Sequence, residues 1–250
     1  MHKSNLIIVG GCGSSGTTLL VSLLSRHQLI AAGPEMSCFN HDQVLDKNLL
    51  FKNYKKWYKY GIESDHYHQV YRFFGERNYY HINEAILSNI INNSAEISTF
   101  YHLLTQHLLK KTGKEIFAEK TPTNIYSFYS IAQSLPHVPI IHVIRDGRDV
   151  VCSLRKRRYS LFRAGSRWLY DTQLGLKARK LPNYFEVKYE DIVLNPMDTL
   201  KKVFDFCKIE FDKNIFQKTI IKQSEKTETF ANSFAHTVWN QTPSDPISTN

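Results

Sequence analysis

Residues 6–24 read Leu-Ile-Ile-Val-Gly-Gly-Cys-Gly-Ser-Ser-Gly-Thr-Thr-Leu-Leu-Val-Ser-Leu-Leu. The run Leu6–Gly10 is apolar without alternation and β-branched at its centre. Such a strand is covered on both faces, which places it inside a parallel sheet. Glycines end it, and Thr17 and Thr18 then open a helix with Leu19, Leu20, Leu23 and Leu24 on one face. A strand, a glycine loop and a helix in that order aim main-chain N–H groups at one point before the positive helix end, and this makes an anion cradle of Gly13, Ser14, Ser15, Gly16, Thr17 and Thr18. A nucleoside triphosphatase loop carries Lys before its hydroxyl pair, whereas here Gly16 runs directly into Thr17. The competing reading is a tight turn with a Ser/Thr cap and no ligand.

The 250 residues fit one large domain, or a core with a helical insertion. Hydrophobic residues make up 42% and charges of both signs are present, which excludes a disordered chain. A net charge of +9 suits anionic ligands, although a solvated basic surface accounts for the same number. Cys12, Cys38, Cys152 and Cys207 lie too far apart for a zinc motif or a disulfide framework and read as reduced thiols. His66 and His68, the closest of the eleven histidines, read as a solvated loop rather than a metal site. The apolar run at the start is too short for a signal core, and no stretch of 18 apolar residues exists. The expectation is a cytoplasmic protein with no membrane contact.

Further strands are expected at 29–32, closing a βαβ unit, and at 116–118, 139–144 and 184–189. Helices are expected at 17–26, 96–111, 122–134, 149–157, 162–180 and 198–207. Residues 42–92 are rich in Lys, Tyr, Asn and His with weak periodicity, and read as helix and loop rather than sheet. The alternation predicts a doubly wound parallel α/β fold of the phosphate-loop kind, one domain over residues 1–250. A helical insertion at about 40–95 would form a lid or acceptor platform, and ligands would sit at the carboxyl ends of the strands.

A second constellation is Ile141-His-Val-Ile-Arg-Asp-Gly-Arg-Asp-Val-Val-Cys-Ser153. Arg145 falls at the carboxyl end of a central strand, and Ser153 lies on the helix that follows. A planar donor fork with a hydroxyl suits one phosphate. Taken alone, Arg145, Asp146, Arg148 and Asp149 read equally as a helix cap with surface ion pairs. A magnesium-nucleotide site built on Asp146 is a further alternative, against which stand the preceding Arg and the missing loop lysine.

With both motifs in hand, the chain resembles the sulfotransferases that use 3′-phosphoadenosine 5′-phosphosulfate, especially the tyrosylprotein-type and related bacterial members. Ser15–Leu19 is similar to their 5′-phosphosulfate loop and Arg145–Ser153 to their 3′-phosphate motif. Tyr189-Glu190-Asp191 with Asn195-Pro196 resembles their late strand and turn. The likeness covers residues 6–35, 116–155 and 184–207. It implies that Gly13–Thr18 hold the phosphosulfate end, that Arg145 and Ser153 hold the 3′-phosphate, and that Tyr189 lies by the nucleotide. Glu35 would be the general base on an acceptor hydroxyl, and Lys120 would meet charge on the departing adenosine 3′,5′-bisphosphate, with no metal required. The acceptor class stays open among peptide tyrosine, sugar, and small alcohol or phenol. Each role has a plainer rival: Glu35 as an exposed loop acid, Lys120 as a surface lysine.

One departure is Ser14, where many such relatives carry Arg or Lys. Lys120 alone, a basic residue of the 40–95 segment or one of the tail could fill that role, and a nucleotide-binding relative without activity is also open. Arg155-Lys156-Arg157-Arg158 with Arg163 and Arg167 reads as a solvated basic helix end or as a steering patch, with no nucleic-acid module recognised. Trp57, Tyr58, Tyr60, Tyr71, Phe73 and Phe74 read as core and lid packing ahead of an aromatic acceptor pocket. The rival functions are a degenerate phosphate-loop kinase or nucleotide hydrolase, and a non-catalytic bisphosphate-binding module. Oligomeric state is not legible.

Overall fold

The structure is a computed structural model and describes residues 4–216 except 65, 67, 68 and 75–77. The readings made above of His68 and of the tail beyond residue 216 lie outside the described residues. Five strands form one sheet: β1 (Leu6–Gly10), β2 (Ile30–Ala32), β5 (Ile116–Lys120), β6 (Ile140–Ile144) and β7 (Tyr184–Lys188). Their order is β2-β5-β1-β6-β7, and every pairing is parallel. β1 is central, with Val9 opposite Lys120 on one side and Ile141 on the other. All five of its residues are buried, as a run without alternation requires.

Side chains of β1 divide by the two-residue period. Leu6 and Ile8 face an apolar cluster shared with Phe117, Phe128 and Ile140, while Ile7 and Val9 face one shared with Leu20, Leu23 and Phe204. On the first face lie α2 (Lys47–Tyr60), α3 (Glu84–Asn92), α4 (Ile97–Leu109), α5 (Phe128–Ser134) and α7 (Leu161–Leu176), each contributing to that cluster. The second face carries α1 (Thr17–Leu24), α8 (Tyr189–Leu194) and α9 (Pro196–Phe206). α6 (Gly147–Lys156) packs on α7 through a small cluster of Cys12, Val150, Leu154 and Ala164.

The structure differs from the sequence expectation at several points. β2 pairs with β5 rather than beside β1, so it does not close a simple βαβ unit with its predecessor. Segment 42–92 contains a short antiparallel hairpin, β3 (Ile62–Glu63) with β4 (Val70–Tyr71), whose two-residue strands carry no readable period. Its helices start at side-chain caps, Asp46 accepting from Leu49 N at 2.9 Å and Asn83 from Ile86 N at 2.8 Å. β5 runs on to Lys120, because Glu119 and Lys120 are themselves buried. The helix expected from Pro122 begins as a 3₁₀ turn (Pro122–Ser127) before α5, and Tyr189 opens α8 instead of ending β7. Trp57, Phe73 and Phe74 are buried core residues, whereas Tyr60 is exposed.

Leu20 is fully buried and fastens α1, and with it the glycine loop, to the sheet. Leu20→Ala is expected to lose about 2–5 kcal/mol of stability, measured by urea denaturation.

Candidate functional site

Parallel strands bring all their carboxyl ends to one rim, and the candidate residues lie there. The glycine loop follows β1, Glu35 follows β2, Lys120 ends β5, Arg145 follows β6 and Tyr189 follows β7. Ser153, on α6, is half-buried.

The loop is curled by Ser14 (φ 74) and Gly16 (φ 96), both left-handed. A non-glycine residue held there is strained, and such strain gathers where backbone is shaped for a ligand. A Cβ on Gly16 would stand 2.3 Å from the Tyr189 ring, so only glycine fits beneath that ring. α1 starts at Gly16 with no side-chain cap and no acidic residue in its first turn. Its first N–H groups have no partner within the helix and carry the positive end of its dipole. Among the described residues neither Ser14 Oγ nor Ser15 Oγ, both buried, has a hydrogen-bond partner. Backbone donors and hydroxyls left this way fit an anion.

Arg145 reaches the same place. Its Nη1 donates to Ser14 O at 3.3 Å, and its guanidinium carbon lies 4.1 Å from the centre of the Tyr189 ring. Among the described residues its buried Nε has no hydrogen-bond partner. Its ion pair among them is with Asp149 at 3.5 Å, and that carboxylate is 58% exposed. A pair of that kind is worth ~0–1 kcal/mol, too little to compete with a phosphate dianion. The turn that carries Arg145 is fixed at three points. Trp168 Nε1 donates to Arg145 O at 3.1 Å, Glu190 Oε1 accepts from Asp146 N at 2.9 Å, and Asp146 caps Arg148 N at 2.8 Å. Hydrogen bonds from Arg148 hold the Asp146 carboxyl down at about 2.

Lys120 and Glu35 meet directly, Nζ to Oε1 at 2.7 Å; the lysine side chain is 6% exposed and the glutamate 49%. Lys120 is therefore no surface lysine, and Glu35 is a loop acid with a defined partner. The contact ties the loop that carries Glu35 to the end of β5. Glu119 fixes that loop a second time. It is 1% exposed, and its Oε1 accepts from Met36 N at 3.3 Å and from Thr121 Oγ1 at 2.6 Å. Its Oε2 accepts from Asn124 Nδ2. Thr121 Oγ1 in turn accepts from Ser37 N at 3.1 Å. Sequence reasoning passed over Glu119, and over Trp168. The available sign was an acid inside an apolar strand, next to the lysine already chosen. It also grouped Arg167 with a basic run read as a solvated helix end or a steering patch, whereas Arg167 is half-buried and paired with Asp171. Arg155–Arg158 are exposed, as expected. Among the described residues no group of three or more His, Cys, Asp or Glu could hold a metal ion, and no helix is long and apolar enough to cross a membrane.

Burial raises the Glu119 carboxyl to about 7, against the pull of its hydrogen bonds and of Lys120. The unfolded chain releases this proton near 4.5, so the folded state binds more protons between the two values. Stability from this group is thus full below about 4.5 and falls as pH rises toward about 7. Glu119→Gln is expected to flatten that slope in unfolding free energies measured across pH 4–8 (roughly, spanning both values). Its Nε2 would face Asn124 Nδ2, so Asn124 must turn.

Similarity to known proteins agrees with this geometry. The chain is 24% identical over 223 residues to protein-tyrosine sulfotransferase 1 of Danio rerio, covering 83% of this chain and 54% of that protein. It is 22% identical to protein-tyrosine sulfotransferase A of Caenorhabditis elegans, covering 86% of this chain and 52% of the relative. The chain thus spans about half the length of these relatives. In fold it is similar to the sulfotransferase domain of the Synechococcus PCC 7002 olefin synthase (TM-score 0.57, 20% identity, 87% of this chain and 79% of that one). It is also similar to the sulfotransferase domain of the curacin biosynthetic pathway (TM-score 0.56, 16% identity, 98% and 85%). The profile of the sulfotransferase family matches residues 6–213, nearly all of the described structure, and the chain belongs to that family.

Proposed function

We propose that the protein transfers a sulfuryl group from 3′-phosphoadenosine 5′-phosphosulfate to an acceptor hydroxyl. The observation that carries this reading is the junction of Arg145 with the glycine loop at Ser14 O, 3.3 Å apart. Two anion-binding elements far apart in sequence share one rim, as a nucleotide phosphorylated at both its 3′ and 5′ positions needs. Buried, unpartnered Ser14 Oγ, Ser15 Oγ and Arg145 Nε fit such a ligand.

In this reading the first-turn N–H groups of α1 and the loop hydroxyls hold the 5′ end, Arg145 and Ser153 hold the 3′-phosphate, and Tyr189 lies beside the nucleotide. Glu35 takes the proton from the acceptor hydroxyl as its oxygen attacks sulfur in line. Lys120 orients Glu35 through Oε1 and presents its remaining donors to the phosphate oxygen that gains charge as the bond to sulfur breaks. The rate gain comes from charge met more strongly in the transition state than in the ground state. Because the matched relatives are named as protein-tyrosine sulfotransferases, peptide tyrosine comes first in an acceptor screen, ahead of sugars and small phenols. The unpaired cysteines suit a reducing compartment such as the cytoplasm.

Titration of the purified protein tests the donor. Adenosine 3′,5′-bisphosphate is expected to stabilise it against heat more than ATP does, with or without Mg²⁺. Equal shifts would favour a kinase or hydrolase instead. Arg145→Ala should weaken bisphosphate binding by about 30–100-fold, the loss of a charge-assisted contact. Glu35→Gln should leave that binding in place and lower sulfuryl transfer by about 10²–10⁴-fold, read by mass spectrometry of the acceptor. Full activity in the Glu35 variant would remove it from the role.

A further inference from the structure

Resting on the donor proposed above, one question remains: what cation serves the 5′ end of the nucleotide? From Cys12 to Thr18 the loop bears no charged side chain, so its own attraction is that of N–H dipoles, about half a unit charge at the helix end. Arg145 is taken up with the 3′ end, and Lys120 lies against Glu35 at 2.7 Å. Another guanidinium comes to the loop from α7. Arg167 Nη2 lies 4.0 Å from where a Cβ on Gly13 would stand, and among the described residues beyond Gly13's own neighbours it is the sole atom within 4 Å of that point. On the side where Gly13 would carry a side chain, the nearest atom of another segment is therefore a guanidinium nitrogen.

Arg167 is held in this position before any ligand arrives. Its Nε pairs with Asp171 Oδ2 at 3.4 Å, and its Nη1 donates to Tyr159 OH at 2.7 Å. Asp171 is 1% exposed, and its charge acts on the buried thiol of Cys12, the residue before Gly13. The carboxylate thus holds the guanidinium next to the start of the loop. Burial, with the charge of Asp171, pushes the Cys12 thiol far up, so it stays neutral beside that carboxylate. Arg167 also borders a cleft of about 450 Å³ whose lining includes Gln69, Tyr159, Arg163 and Tyr170. A donor fixed in advance needs no reorganisation when charge develops near it.

We propose that Arg167 is the cation that serves the 5′-phosphate end of the donor, supplied in space from α7 where the loop itself has Ser14. The alternative is an ion pair that only fastens α7. The two differ in which part of the nucleotide notices the residue. Calorimetric titration of the full chain with adenosine 3′,5′-bisphosphate and with adenosine 3′-monophosphate gives the affinity ratio that the 5′-phosphate contributes. Wild type, Arg167→Lys and the double variant Arg167→Gln/Asp171→Asn are compared, the double variant leaving no buried carboxylate without its cation. The ratio is expected to fall about tenfold in the double variant, the loss of one charge-assisted contact, and to stay within about threefold in Arg167→Lys. A ratio unchanged in the double variant, whether both affinities hold or both drop together, overturns the proposal. Wild type binding the two probes equally would instead overturn the donor reading on which it rests.

Discussion

The pairing of β1 with β5 and β6 is the constraint from which the site follows. Val9 stands opposite both Lys120 and Ile141, and all strands run the same way. The ends of five strands, scattered from residue 10 to residue 188, therefore open on one edge. Register matters as much as direction. By the alternation of β5, Glu119 shares its face with Phe117 and the first cluster, while Lys120 shares its face with Ala118 and the second. A slip of one residue would exchange an acid that anchors Met36 for the ammonium that holds Glu35. Hydrophobic matching of Ile8, Val9 and Ala118 thus decides which charge faces which loop.

Burying two opposite charges side by side is costly unless each finds partners, and the two do so differently. Glu119 is met by a backbone N–H, a hydroxyl and an amide, all without net charge. Lys120 is met by the half-exposed carboxylate of Glu35. Neutral donors leave Glu119 open to protonation near neutrality, and its load falls on structure. A carboxylate at the solvent edge joins buried Lys120 to the rim. Because Met36 follows Glu35 in the chain, the segment is pinned once by its side chain and once by its backbone. The position of Glu35 is then set by β5 rather than by the loop it belongs to.

Much of this was readable from residues alone, and the reason is local chemistry. An apolar run ending in glycines and Thr-Thr has few structural solutions, so β1, the loop and α1 emerge from the sequence nearly to the residue. The places of Arg145 after a strand and of Ser153 on the next helix were legible because a strand end and a helix fix their spacing. Contacts that join remote segments were not legible. Nothing in Gly33-Pro34-Glu35 says that Lys120 lies 2.7 Å away, and nothing in Arg167 separates it from the exposed Arg155–Arg158 until α7 packs on α6. The hairpin of β3 and β4 escaped for another reason. Two-residue strands hold by backbone pairing and leave no periodic trace.

Two arginines approach the glycine loop, and their supports differ in a way that ranks them. Arg145 lies on the face of Tyr189, and its carboxylate neighbour Asp149 is long and mostly exposed. An aromatic face contributes about 0.5–2 kcal/mol and orients the guanidinium without neutralising it. Arg167 is held from behind by Asp171, which at 1% exposure is screened little by solvent and cancels part of its charge. Arg145 therefore offers the stronger field to an anion and Arg167 the more rigid donor. The same ring of Tyr189 that supports Arg145 also closes over Gly16, where a Cβ would stand 2.3 Å from it. One side chain thus sets the distance between the Arg145 guanidinium and the glycine loop. Any change in the tilt of that ring moves both together.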